Sequence, residues 1–207
     1  MAVRNSLPSV TVSDRSATLR RVLAPAARVV LFALLMWGAA AAGQIPIPGT
    51  PVPITLQTFV VMLAALTLDW REAGSAVLLY LAAGAAGAPV FAGGASTAAL
   101  MGPSAGFLIG FLPGVVLTAL LRGAAPDPAV RAGAGAGALR LLRLFAAAII
   151  GCVVVVYAFG CTVQSAFTGM PLGTVTLASM GFVAGDVVKA AVATLVAAGV
   201  SRLSAKA

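Results

Sequence analysis

Six stretches of this chain are almost unbroken in apolar residues, and no other feature limits its fold so strongly. They run at about 26–42, 54–68, 73–88, 106–121, 141–161 and 176–200, separated by glycine, proline and charge. A helix needs roughly 20 apolar residues to cross the hydrocarbon core of a bilayer, and inside lipid it satisfies its own backbone hydrogen bonds. A transmembrane β-barrel would alternate apolar and polar residues over ~10-residue strands, whereas these runs are continuous and rich in Ala and Leu. With 61% hydrophobic and only 9% charged residues and a mean hydropathy of +1.08, the chain is far more apolar than a soluble domain. The expectation is an all-α polytopic membrane protein with six transmembrane helices. Residues 26–203 form its single membrane domain, after a polar leader of low order at 1–25 and before a short tail at 204–207. The second and third runs are short for a full crossing, and the Pro- and Gly-broken tracts between runs read as loops folded back into the protein.

The formal charge of +8 raises the question of a nucleic-acid partner, and the distribution of that charge answers it. Twelve of the thirteen basic residues fall before or at the very start of the first run, between the second and third, between the fourth and fifth or at the start of the fifth, or after the sixth. The connections at 43–53, 89–105 and 162–175 contain no Lys or Arg. Basic residues mark cytoplasmic loops, so the charge reports topology, both termini face the cytoplasm, and no nucleic acid is involved. The stretch "APDPAVRAGAGAGALR", 125–140, reads as a mobile linker with its arginines at the membrane surface.

Catalytic chemistry has little to build on. There is no His, the two cysteines Cys152 and Cys161 lie in an apolar run, and no phosphate-binding Gly-Lys-Ser/Thr loop occurs. The chain is therefore expected to be no enzyme, to hold no metal or cofactor, and to leave any ATP hydrolysis to partner subunits. One charged pair does interrupt a membrane run: Asp186 and Lys189 in "GFVAGDVVKA". Three residues apart on a helix, they share a face, and burying either in lipid costs roughly 2.5–3.5 kcal/mol on insertion scales. They serve either as a neutralised structural pair or as a ligand site. Gly181 and Gly185 suggest a bend, with the continuous helix beginning near Gly185 and offering its N-terminus to an anion.

Two outer loops complete the picture. "GQIPIPGTPVPITLQT" is stiffened by four prolines and ends in Thr55, Gln57 and Thr58, which suits a lid or a rigid connector. The tract around "YLAAGAAGAPVFAGGASTAALMGPSAGFLIGF" sets Tyr80, Phe91 and Phe107 among small residues, as in pockets for flat apolar ligands. Gly and Ala also serve ordinary close packing of membrane helices.

"PVPITLQT", "YLAAGAAGAPVFAGG", "GPSAGFLIGF" and "GFVAGDVVKA", in this order and spacing, resemble the BioY family. These are the biotin-specific substrate-binding (S) components of energy-coupling factor (ECF) vitamin transporters. The resemblance covers most of the chain after Arg28 and implies a six-helix S-component fold with an outward-facing pocket under the first outer loop. It implies a site containing Asp186 and Lys189, with Thr55, Gln57, Tyr80 and Phe91 in the pocket or lid. In that site Asp186 accepts from ureido N–H groups and Lys189 pairs with the valerate carboxylate. The implied partners are biotin, an ECF transmembrane coupling protein docking on a small-residue face near Ala39 and Gly43, and two ABC-type ATPases. The implied location is the lipid bilayer of the bacterial cytoplasmic (inner) membrane, with self-association left open. The family's motif at the fourth span often reads Gly-Pro-Thr-Gly-Gly-Tyr, where this chain has Ser104, Ala105 and Phe107. Alternatives are an S component for another small carboxylated vitamin, a proton-coupled secondary carrier using Asp186, and a membrane scaffold.

Overall fold

A computed structural model describes residues 12–123 and 134–204. Helices follow one another along the chain: α1 (Val12–Ala41), α2 (Gln57–Thr67), α3 (Trp70–Ala85), the single turn α4 (Thr97–Leu100) and α5 (Ala105–Leu121). After residues 124–133 come α6 (Ala134–Ala148), a π-helical segment (Ile149–Val155), α7 (Val156–Thr168) and α8 (Leu172–Ser204). The described residues contain no strand, only an isolated antiparallel bridge between Ile45 and Ile54. Helix α5 packs mainly on α7, α1 on α3, and α2 on α8.

Among the described residues, three helical stretches are long and apolar enough to cross a membrane: Leu23–Ala41, Gly135–Thr168 and Leu172–Ser201. Helices α2 and α5 are apolar but shorter; the 11 residues of α2 rise only about 17 Å. Helix α3 carries Arg71 and Glu72 in its first turn. The outer surface is apolar as well as the interior: Leu177, Val188, Leu195 and Leu203 on α8 are all more than half exposed. An apolar outer face of this kind suits a lipid surround.

Three expectations need correction. The first helix begins at Val12, so much of the stretch taken as a leader is helical; the apolar run located the span but not the polar turns that extend it. Helix α6 begins at Ala134, so the Gly/Ala end of the supposed linker is helix too, while residues 124–133 lie outside the described residues. Helix α8 runs through Gly181 and Gly185 without a break, so no helix N-terminus faces a ligand there. Glycine costs only about 1 kcal/mol in a helix interior, and packing overrides that. A Cβ on Gly181 would touch Ile47 of the first outer loop, and one on Gly185 would meet nothing within 4 Å.

Glycines determine the close approach that matters most. Gly106, Gly110 and Gly114 form a ridge on α5 against α7 and the π-helical turn; a Cβ on Gly110 would sit 3.2 Å from the Val156 Cα. Small residues at this spacing let membrane helices meet backbone to backbone. Beneath them the Thr118 hydroxyl donates to the Ala147 carbonyl at 3.2 Å and lies 3.3 Å from the Cys152 sulfur. The π turn inserts an extra residue into the helical phase immediately before Val156 and Tyr157.

The two ends of the bundle differ in chemistry. At one end Arg28 pairs with Glu72 at 2.9 Å, and Asp69 caps α3 through the Arg71 and Glu72 N–H groups. Arg122 donates to the Leu66 and Leu68 carbonyls and Arg143 to the Leu121 carbonyl. These guanidinium groups satisfy helix C-terminal carbonyls and complement their dipoles. At the opposite end the connections 42–56, 86–104 and 169–171 carry no charged residue.

Candidate functional site

At this uncharged end, α2, α5, α7 and α8 enclose a cavity of about 240 Å³ roofed by the two outer loops. Its volume suits a small organic molecule rather than one or two waters. One side is aromatic: Phe107, Tyr157 and Phe182 meet edge to face, with centroids 5.9 to 6.4 Å apart. Phe91, Leu108 and Phe111 add apolar wall. The other side is polar and converges on Asp186.

Asp186 projects inward from α8 and is 3% exposed. Its Oδ1 accepts from the Thr58 hydroxyl and the Lys189 ammonium, each at 2.9 Å, and its Oδ2 accepts from the Tyr157 phenol at 2.7 Å. Lys189 donates also to the Thr55 carbonyl at 2.8 Å and to Thr58 Oγ1 at 2.9 Å. An ammonium has three N–H donors, and all three are used within the protein. The pair therefore escapes the usual penalty of buried charge through hydrogen bonds on both partners. A second acceptor site on Asp186 Oδ2 has no partner among the described residues.

A second network fixes an amide. The Tyr80 phenol has one hydrogen and donates it to the Val90 carbonyl at 2.8 Å. It can then only accept from Gln57 Nε2, with which it is in contact. Gln57 Oε1 accordingly turns to the Thr55 hydroxyl, which donates to it at 2.9 Å. Gln57 lines the cavity and is 3% exposed, and its second Nε2 hydrogen has no partner among the described residues.

Of the six expected site residues, Asp186, Lys189, Thr55, Gln57 and Phe91 line the cavity. Tyr80 does not; it stands behind the wall, 1% exposed, edge-on to Phe91 at 5.3 Å. The lining residues outside those six include Thr58, Tyr157 and Phe182. Tyr157 was findable, since a phenol in an apolar run must have a polar partner. Ser104 lines the cavity where the sequence departs from the family motif, and its hydroxyl donates to the Ala99 carbonyl at 3.2 Å.

The first outer loop is held down on three sides. Ile45 and Ile54 exchange N–H···O bonds of 2.8 and 2.9 Å. Ile47 rests on Gly181, and Gln44 on Gly93, whose φ of +68° is one that glycine adopts freely. The buried Gln164 of α7 donates to the Thr50 hydroxyl at 3.0 Å.

Comparison with known proteins identifies the family and the fold. The model of the BioY family matches residues 10–206. The biotin transporter BioY of Rhizobium etli is 40% identical over 146 residues, 70% of this chain and 75% of that protein. The biotin transporter BioY of Rhodobacter capsulatus is 40% identical over 171 residues, 81% and 87% of the two chains. A probable biotin transporter BioY of Pyrococcus horikoshii is 33% identical over 83% of this chain and 94% of that one. Among solved structures, the S-component for biotin from an ECF-type ABC transporter superposes with a TM-score of 0.73 and 22% identity. The match covers 94% of this chain and 95% of that one and shows a shared fold.

Proposed function

Because this chain belongs to the BioY family, we propose that it is a membrane subunit that captures biotin from outside the cell and delivers it for uptake. The ligand enters beneath the first outer loop into the cavity above Asp186. Asp186 Oδ2 and the Tyr157 phenol receive a ureido N–H, Gln57 Nε2 donates to the ureido carbonyl, and the aromatic wall covers the fused rings. Thr55 and Phe91 border the ligand, and Tyr80 orients Gln57 from behind. The observation that best supports this reading is the buried Asp186 carboxylate, locked by three protein donors yet presenting an unused acceptor site to the cavity.

Six helical crossings in the bacterial cytoplasmic membrane place the arginine-capped end and both termini inside, as basic residues favour, and the cavity mouth outside. Transport needs an energy source that this chain does not encode in any nucleotide-binding loop. An ECF transmembrane coupling protein and two ABC-type ATPases supply it and reorient the loaded subunit.

The test is isothermal titration of biotin into the purified chain in detergent. Saturable binding with one site per chain is expected. A folded protein, verified by circular dichroism, that releases no heat at any biotin concentration would overturn the assignment.

A further inference from the structure

We infer that this pocket does not read the acid group of its ligand, so that neutral carboxyl derivatives, such as the primary carboxamide, are captured as well as biotin itself. The inference rests on the reading of the cavity as a biotin site and goes beyond it by defining the class of ligand. It departs from the role that the family resemblance implies for Lys189.

The first ground is the saturation of Lys189. Its three donors go to the Thr55 carbonyl, Thr58 Oγ1 and Asp186 Oδ1, all within 2.9 Å. A ligand carboxylate would have to displace one of these, leaving a partly buried protein acceptor without its donor. Lys189 and Asp186 also cancel each other in charge, so the lining as a whole is neutral. The ammonium serves inside the protein, as the counter-ion of Asp186 and as the anchor for the end of the first outer loop at Thr55.

The second ground is the depth of the charges. Helix α8 runs from the uncharged end toward the arginine-capped end, so Lys189 lies about 4.5 Å deeper than Asp186. The groups that complement a cyclic urea, Asp186 and Gln57, are the buried ones. A ligand seated by its urea directs its acid tail toward the mouth, where the lining comes from Gln44, Pro51, Ala92 and Ala95. Neither loop that forms the mouth, 42–56 or 86–104, contains Lys, Arg, Asp or Glu. An anionic tail and a neutral amide of the same shape meet the same uncharged dipoles there, and water solvates both.

The experiment titrates the full chain in detergent with biotin and with its primary carboxamide. Dissociation constants that agree within about fivefold are expected, since no charge-assisted bond distinguishes the two. Tight biotin binding with the carboxamide weaker by tenfold or more, the loss typical of a hydrogen bond to a charged group, would overturn the inference alone. Failure of both ligands would remove the biotin assignment, and this inference with it. Lys189→Gln gives an independent readout: affinity for both ligands should fall by the same factor. A loss confined to biotin would show the ammonium on the carboxylate. The wild-type comparison decides the matter even where that variant fails to fold.

Discussion

The Tyr157 phenol donates to Asp186 Oδ2 across 2.7 Å, joining α7 to α8 at the floor of the cavity. Through this bond one helix orients the carboxylate of another, and the phenol oxygen keeps lone pairs for a ligand N–H. Replacing Tyr157 by Phe preserves the aromatic contacts with Phe107 and Phe182 and removes only the hydroxyl. Biotin affinity should fall by about 5- to 30-fold, the equivalent of about 1–2 kcal/mol, while Asp186→Asn should cost more. Calorimetric titration of both variants measures this, and unchanged affinity in Tyr157→Phe would remove the phenol from the site.

Thr58 sits between the two charges, donating to Asp186 Oδ1 and accepting from Lys189. Thr58→Val keeps the shape but leaves both partners short of a bond in a water-poor site. A loss of about 1–3 kcal/mol is expected, visible as a lower melting temperature in detergent. Thr58→Ser should recover most of it; if Ser and Val behave alike, the hydroxyl is not what matters.

Two glycines predict opposite outcomes for a similar change. Gly110→Val introduces atoms where even a Cβ alone would lie only 3.1 Å from the Phe159 Cβ, forcing α5 and α7 apart and displacing Tyr157. Yield of folded protein and biotin affinity should both drop sharply. Gly185→Ala meets open space and should raise helix stability by up to about 1 kcal/mol. Thermal denaturation compares the pair, and a destabilised Gly185→Ala would point to a hinge role in α8.

The proposed orientation has a direct check. Cys152 and Cys161 are buried and should resist a membrane-impermeant maleimide in intact cells. A cysteine introduced at Ser96, in the uncharged outer loop, should be labelled from outside, and one introduced at Arg71 only after the membrane is opened. The reverse labelling would invert the topology.

Much of the site was legible in the sequence because it depends on local properties. Asp186 and Lys189 stood out as charges in an apolar run, and the helical repeat alone put them on one face. Thr55 and Gln57 were marked by the end of a proline-stiffened loop. Tyr80 was read as a wall residue, but its ring lies behind Gln57 and Phe91, a matter of layering that spacing cannot express. Thr58 reaches Asp186 over 128 positions of sequence, and no periodicity reports such a contact. The bend expected at Gly181 and Gly185 failed because packing, not intrinsic propensity, keeps α8 continuous.

By itself the sequence determined that this is a helical membrane protein, which of its ends is basic, and where an intramembrane charge pair lies. Those properties follow from apolar run length, charge placement and the 3.6-residue repeat, all local to the chain. The tertiary structure alone decided that Tyr157 and Thr58 complete the Asp186 network and that Lys189 spends its donors inside the protein. These depend on the close approach of α5 and α7 at Gly106, Gly110 and Gly114 and on the contact of α2 with α8. Hydrogen bonds between distant helices exist only once backbone packing has brought their atoms within about 3 Å.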